Sequence, residues 1–109
     1  MKRIQSATLP EFKYSVVDIA VDSTEVVNRP ALLRGIYINK TLSAHDLLIK
    51  DNTTTVITIP AESASGTFVN FGDVRFETSL IVDPDNAATG SITLIYKPQN
   101  LQAGNYPTI

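Results

Sequence analysis

The residues best suited to acid–base chemistry are His45 and Asp46, in the segment Ser43-Ala44-His45-Asp46. A histidine titrates near neutral pH, and an adjacent carboxylate can orient its ring as a general base. The chain has no other histidine, and no serine or cysteine nucleophile motif accompanies this one. We therefore favour a solvent-facing loop histidine beside the start of a strand.

Acidic side chains suggest two other kinds of site, but both patterns are incomplete. Asp83, Asp85 and Asn86 resemble part of a calcium loop, yet the further spaced oxygen ligands and the distal bidentate glutamate are missing. Glu62 and Glu77 have no visible partner for the paired-carboxylate chemistry of a glycosidase. The five glycines are scattered and there is no cysteine, so no phosphate-cradling loop or thiolate metal site is present. The sequence predicts no enzyme: no catalytic residue, no cofactor and no metal.

The four tyrosines are Tyr14, Tyr37, Tyr96 and Tyr106, and tyrosine rings can stack on sugars. They are more simply explained as residues at the edge of the core, with an apolar body and a polar tip. Aromatic residues make up only 7% of the chain, which is few for a carbohydrate-binding module.

Composition excludes several classes of protein. The 109 residues fit one domain, and the net charge of −2 argues against a general nucleic-acid binder, which would carry a basic stripe. No apolar run approaches the roughly 20 residues of a membrane span. Lys2 and Arg3 are not followed by an apolar stretch, so we expect no signal peptide. The absence of cysteine fits an intracellular or a virion protein.

Strand patterns dominate, and the clearest lies within residues 67–83. From Val74 to Asp83 apolar and polar residues alternate, which places successive side chains on opposite faces of a strand. We predict one long strand at the centre of the core. Its inward side chains would be Val74, Phe76, Thr78, Leu80 and Val82.

The first predicted strand, Phe12 to Val21, is apolar on both faces. Its two sets are Phe12, Tyr14 and Val16, and Val17, Ile19 and Val21. A strand apolar on both sides is usually covered on both sides. In so small a domain the second cover is best supplied by another copy, so Phe12, Tyr14 and Val16 are our candidate self-association residues.

Further strands are predicted along the rest of the chain. In Ala31–Lys40 we expect Leu32, Ile36 and Ile38 to share a face, and Gly35 to mark a bulge or a close approach of another backbone. The other predicted strands are Glu25 to Asn28, a hairpin of Asp46–Lys50 and Thr53–Ile59 around Asp51-Asn52, and Ser91–Lys97 with Ile92, Leu94 and Tyr96 on one face.

Together these patterns predict an all-β fold, an antiparallel two-sheet β-sandwich of jelly-roll type, with an immunoglobulin-like sandwich as the alternative. We assign residues 12–97 to this domain, 1–11 to an extended N-terminal arm and 98–109 to a C-terminal tail. The arms carry our candidate partner contacts: Lys2, Arg3, Ile4, Leu9, Leu101, Tyr106 and Ile109.

From Leu33 to Pro98, about 60% of the chain, the sequence resembles small β-rich virion proteins of tailed bacteriophages. The segments that carry the resemblance, in order, are GIYIN (35–39), DLLIKD (46–51), TVITIPA (55–61), GTF (66–68), FETSL (76–80) and ATGSITLIY (88–96).

The resemblance implies a structural role as a head decoration or cement protein. Such a protein would be made in the host cytoplasm and would bind the capsid exterior, where it bridges neighbouring subunits of the major capsid protein. It also implies a homo-oligomer, with a trimer favoured, and no membrane or nucleic-acid partner. A tail, fibre or spike module that binds a receptor or glycan is the alternative, and a small hydrolase is a more distant one.

Overall fold

The structure is a computed structural model, and it describes residues 12–99. Within them the fold is all-β, with no helix and eight strands. The strands are β1 Lys13–Asp18, β2 Thr24–Val27, β3 Ala31–Lys40, β4 Leu47–Asp51, β5 Thr54–Ile59, β6 Phe68–Phe76, β7 Leu80–Asp83 and β8 Ser91–Pro98. No helix capable of crossing a membrane occurs in this part of the chain.

The strands form two antiparallel sheets of four strands each. The first sheet has the order β1-β8-β3-β6 and the second has the order β2-β7-β4-β5. The apolar core lies between them and takes side chains from both sheets, including Leu33, Ile36 and Leu94 from the first and Ile49 and Val82 from the second, all fully buried. The predicted antiparallel two-sheet sandwich is therefore confirmed at this level.

The prediction of one long strand over residues 74–83 is wrong. β6 ends at Phe76 in the first sheet, and β7 begins at Leu80 in the second. Phe76, Leu80 and Val82 are all buried, because the core lies between the two sheets and both strands point their apolar side chains into it. The alternation therefore continues across a change of sheet, and the expected inward residue Thr78 is exposed in the crossover.

A carboxylate holds this crossover against the hairpin of β4 and β5. Asp51 accepts hydrogen bonds from the backbone N–H groups of Glu77 (2.7 Å), Thr78 (2.9 Å) and Ser79 (3.2 Å). The buried Ser79 hydroxyl in turn accepts a bond from the N–H of Asn52, 3.1 Å away. Burial raises the pKa of Asp51, but the three backbone donors outweigh it, and the net pKa is lowered.

In β3 the bulge expected at Gly35 is confirmed, but the inward residues differ from the prediction. The pairing shifts between Leu33 and Gly35, so that Arg34 is an extra residue opposite β8. The extra residue changes which side chains face the core. Leu33, Ile36 and Ile38 are fully buried, whereas Leu32 is only half-buried and pairs with Lys97 on the outer side.

The structure also contains the predicted hairpin, the last strand and the short second strand. In that hairpin, Leu47 pairs with Ile59 and Ile49 with Ile57, and Asn52 at the turn has a φ of 57°. Ile92, Leu94 and Tyr96 share the buried face of β8. The short second strand is present as β2, one residue earlier at each end than predicted.

The edge strand β5 has an unusual composition. All six of its residues, Thr54–Ile59, are β-branched, and none is charged. Ile49 pairs with Ile57 and Lys50 with Thr55, so Val56 is an extra residue and forms a bulge. Val56 is 39% exposed.

Candidate functional site

The outer side of the first sheet carries a cluster of exposed apolar side chains. We define the apolar face as Tyr14 and Val16 on β1, Ile95 on β8, Tyr37 and Gly35 on β3, and Phe68 on β6; Ile95 is half-buried, and Gly35 is buried under the Phe68 ring. Tyr14 is 74% exposed, Val16 65%, Phe68 44% and Tyr37 40%. Scattered exposed apolar residues are normal, but a contiguous apolar patch marks an interaction site.

The pairing register explains why these residues form one surface. Directly opposed residues on neighbouring strands share a face of the sheet. One row across the sheet runs from Tyr14 to Ile95 and Gly35. The next row runs from Val16 through Thr93 and Tyr37 to Phe68. The bulge at Arg34 gives Gly35 and Tyr37 their outward positions.

Gly35 keeps the middle of the apolar face flat. A Cβ atom placed on Gly35 would lie 2.4 Å from Cζ of Phe68 and 2.7 Å from the carbonyl oxygen of Val69. Both distances are shorter than real Cβ contacts, so only glycine fits here. The Phe68 ring consequently lies against the backbone of β3 beside Tyr37.

One end of the apolar face is cationic. The guanidinium carbon of Arg34 lies 3.9 Å from the centroid of the Phe12 ring, and the Lys97 ammonium lies 5.0 Å from it. Both distances suit cation–π contacts. Phe12 is thereby held at the start of β1, with 37% of its surface exposed.

Arg34 also forms a bidentate ion pair with Asp73. Its Nε and Nη2 atoms donate to Oδ1 and Oδ2 of Asp73 at 2.8 and 3.0 Å. The Arg34 hydrogen bond lowers the pKa of Asp73, and the same bond raises the pKa of Arg34. Asp73 and Gly72 have φ values of 66° and 70° where β6 bulges against Arg34. The bulges on β3 and β6 therefore meet at a fixed charge pair.

The opposite end of the apolar face is polar and carries Asp18. The Nδ2 atom of Asn39 donates to Oγ1 of Thr93 (2.8 Å) and Oγ of Ser91 (3.4 Å). Asp18 pairs with Ser91 across the strands and accepts a hydrogen bond from the N–H of Ala20. The exposed Lys40 pairs with the same Ser91 from the other side, so this end carries a cation beside the carboxylate.

The structure places the candidate self-association residues as the alternation predicted. Phe12, Tyr14 and Val16 are all exposed on one side of β1, and Val17 is buried on the other. The expected inward residue Val21 is 53% exposed, because β1 ends at Asp18 and the chain turns. No measurement of association bears on these residues, so their role remains a prediction.

Sequence reasoning missed three members of the apolar face: Tyr37, Phe68 and Ile95. The alternation in β3 and β8 marks Tyr37 and Ile95 as outward residues, but strand order was needed to bring them beside β1. Phe68 precedes the alternating stretch that starts at Val74, and it begins β6.

The histidine lies in an open cleft of about 430 Å³ lined by His45, Asp46, Leu48, Asp83, Pro84 and Asp85. The interpretation of Asp46 as its orienting carboxylate is wrong. Asp46 accepts a hydrogen bond from the N–H of Ala61, and Nδ1 of His45 lies 3.1 Å from Oγ of Ser43. Nε2 of His45 is 3.9 Å from Asp85, too far for a hydrogen bond.

Asp83 and Asp85 also have partners of their own. Asp83 pairs with Nζ of Lys50 at 2.7 Å, and Asp85 accepts a bond from the N–H of Ala87. Among residues 12–99, no group of three or more His, Cys, Asp or Glu side chains is placed to hold a metal ion. The candidate partner contacts Lys2, Arg3, Ile4, Leu9, Leu101, Tyr106 and Ile109 lie outside the described residues.

Comparison with known proteins gives no relative. No family model, curated protein or solved structure matches the chain.

Proposed function

We propose that this chain is a structural protein of a tailed-phage virion, a decoration or cement protein without enzymatic activity. It binds the outside of the capsid shell and bridges neighbouring subunits of the major capsid protein. The observation that carries the proposal is the group of exposed apolar side chains on the outer side of the first sheet, because large exposed apolar patches mark interaction sites.

The strand order supports a jelly-roll assignment, which we include in the proposal. The order β1-β8-β3-β6 facing β2-β7-β4-β5 is what eight strands give when wound as two Greek keys. Jelly rolls occur in viral capsid proteins and in lectins, so the fold agrees with a virion role but does not select one.

Stabilisation of the shell follows from binding linkage. A protein that binds the assembled shell, and not its separated subunits, shifts the equilibrium toward the shell. If copies also contact each other, each attachment is strengthened by its neighbours without any new kind of contact. In this mechanism the apolar face joins copies, and the terminal segments 1–11 and 100–109 reach the shell.

Quantitative mass spectrometry of purified particles tests the proposal by comparing the amount of this chain with that of the major capsid protein. Hundreds of copies per particle are expected of a decoration protein. A few to a dozen copies would instead indicate a tail, fibre or portal component. Absence from the particle would overturn the virion proposal.

A receptor- or glycan-binding module is the second candidate. The exposed rings of Tyr14, Tyr37 and Phe68 favour it, since aromatic faces can stack on sugars. The rings lie on strands of a flat sheet, however, and not on a rim of loops. A glycan array separates the candidates: specific binding that is lost in Tyr37→Ala would favour the module.

A further inference from the structure

We propose that a second copy of this chain adds to the open edge of the first sheet, so that β1 pairs antiparallel with β1 of the partner copy. The first sheets of the two copies then join into one continuous sheet, with a two-fold axis perpendicular to it. The inference rests on the proposed function, for which it names the contact between copies at the β1 edge of the apolar face.

The four open sheet edges differ in how well they can pair. The first sheet ends at β1 and β6, and the second ends at β2 and β5. Bulges make an edge unfit to accept another strand. Within residues 12–99, β5 has an extra residue at Val56, β2 shifts its register within four residues, and β6 has Gly72 and Asp73 at positive φ. β1, in contrast, pairs with β8 without a shift over all six of its residues.

The backbone groups on the open side of β1 belong to its outward residues. The N–H of Ile19 donates to the carbonyl oxygen of Gly90 and continues the ladder between β1 and β8. In an antiparallel ladder, residues that bond to one neighbour alternate with residues that point away from it. Val17 therefore bonds to β8 as Ile19 does, whereas Tyr14 and Val16 direct their N–H and C=O groups towards the open side.

One register satisfies these groups best. Residues opposite each other on paired strands must share a side of the sheet, and outward N–H groups must meet outward C=O groups. Both conditions hold when Ser15 lies opposite Ser15 of the partner copy. Tyr14 then exchanges two backbone hydrogen bonds with Val16 of the partner copy, and the axis repeats the exchange. This register pairs residues 12–18 with one another, which is the longest overlap of that segment with itself.

The side chains suit this register. On the outer side, Tyr14 of each copy lies opposite Val16 of the other, and an aromatic residue opposite a β-branched one is a favourable cross-strand pair. These two are the most exposed large apolar side chains among residues 12–99, at 74% and 65%. On the inner side the two Ser15 side chains meet at the axis, where the strands are closest and a small residue fits.

Charge does not oppose the pairing. The charged residues of β1 are Lys13 and Asp18, and they lie at its two ends. Lys13 comes opposite Val17 of the partner copy. Asp18 comes opposite Phe12 of the partner copy, whose ring is in contact with the cations Arg34 and Lys97. No like charges are brought together, and the contact closes as a dimer because it uses β1 of both copies.

A cysteine at position 15 tests the register. The chain has no cysteine, so Ser15→Cys introduces a single thiol. At the axis the two Cα atoms would be about 4.5 Å apart, which a disulfide can span. We expect this variant to form a covalent dimer under oxidation about tenfold faster than Thr55→Cys, the matched control on the exposed, bulged edge β5. Equal rates would indicate random collision and overturn the inference.

Sedimentation velocity of the full chain tests the pairing itself. One pair of strands buries an area at the low end of specific interfaces, so protein at about 10 µM to 1 mM should bracket the dissociation constant. Val16→Pro removes an outward N–H, which an edge strand tolerates, and the axis doubles the loss. We expect the dissociation constant to rise more than tenfold. The control Val16→Ile keeps the N–H and an apolar, β-branched side chain, and should stay within about threefold of the parent.

Circular dichroism checks that each variant is folded, since Ser15→Cys also removes the hydrogen bond between Ser15 and the Tyr96 hydroxyl. If Val16→Pro does not fold, the cysteine pair still decides the question. Three further outcomes would overturn the inference: a monomer throughout the range, a trimer, or a folded Val16→Pro that associates like the parent. None of these results concerns the copy number in particles, so the inference can fail while the proposed function stands.

Discussion

The ring of Phe68 occupies the space where a side chain at position 35 would stand. The distance of 2.4 Å from a Cβ at Gly35 to Cζ of Phe68 makes the two positions exclusive. Two residues 33 positions apart in the chain thus determine together whether the outer side of the first sheet is flat. The Phe68 ring is 44% exposed, so it forms part of the outer surface of the sheet at this place.

Gly35→Ala should destabilise the domain and disturb the apolar face. The added methyl group meets the carbonyl oxygen of Val69 as well as the Phe68 ring, so we expect a loss of about 1–3 kcal/mol, as for overpacked cores. Urea unfolding measures the loss. In a Phe68→Ala background the same substitution should cost less, since only the backbone clash remains. Equal stability of Gly35→Ala and the parent would contradict the geometry.

Val16→Thr and Val17→Thr form a matched pair on opposite sides of β1. Val17 is 5% exposed, so its new hydroxyl must be buried, at a cost of about 1–3 kcal/mol. Val16 is 65% exposed, and we expect its variant to stay within about 0.5 kcal/mol of the parent.

Self-association through the apolar face should respond in the reverse order: we expect Val16→Thr to weaken it and Val17→Thr to leave it unchanged at temperatures where the protein is folded. Thermal unfolding measures the stability of each variant, and sedimentation velocity measures its self-association. If Val16→Thr destabilised the monomer as much as Val17→Thr, β1 would not be placed as described.

Acid should weaken the bond between Asp51 and the crossover of residues 77–79. The pKa of Asp51 is lowered in the folded state, so its charged form is favoured by folding. The stabilisation is fully present above the unfolded pKa of about 3.9 and is lost as pH falls through the lower folded pKa. Stability of the parent should therefore drop below about pH 4.

Asp51→Asn is the test of this acid dependence. It leaves the backbone donors of Glu77 and Thr78 with a neutral acceptor at best, and we expect a loss of about 1–3 kcal/mol at neutral pH. The difference between parent and variant should shrink at pH 3 in urea unfolding curves. The control Asp46→Asn also removes a carboxylate that accepts a backbone hydrogen bond, but it leaves the crossover untouched. A constant difference at all pH values would exclude the charge as the cause.

Removal of the C-terminal segment should leave folding unchanged and weaken attachment to the shell. β8 runs to Pro98, and the N–H of Gln99 donates to the carbonyl oxygen of Pro30, so the deletion begins at residue 100. We expect the shortened chain to keep the unfolding transition of the parent and to bind purified shells more weakly, because the proposed contacts Leu101, Tyr106 and Ile109 are gone. Undiminished shell binding would show that this segment makes no contact.

Much of the fold could be predicted from the sequence because local patterns determine it. Period-two alternation marked the strands, and Asp51-Asn52 marked a tight turn. Alternation could not reveal that the chain changes sheet between Phe76 and Leu80, since strands of both sheets point apolar residues at the same core. Nor could it reveal the bulge at Arg34 as the reason that Leu33, and not Leu32, is buried.

For the same reason, the candidate site could be predicted only in part from the sequence. Phe12, Tyr14 and Val16 stood out because β1 is apolar on both sides. Tyr37 and Ile95 belong to strands distant in sequence, and only the order β1-β8-β3-β6 brings them together. Pairing between strands that are distant in sequence depends on the whole sheet, so no single segment predicts it.

The bulge at Val56 has a consequence for solubility. Six uncharged β-branched residues on an open sheet edge, without proline, are the composition of segments that stack into amyloid. The extra residue bends β5 locally, so that its edge cannot form a regular ladder of hydrogen bonds with the same strand of another molecule. Without Val56, Thr55 and Ile57 would be consecutive and would pair regularly with Lys50 and Ile49. We expect the edge of β5 then to be straight and able to pair with another strand. We therefore expect the extra residue Val56 to disfavour fibril growth along this edge.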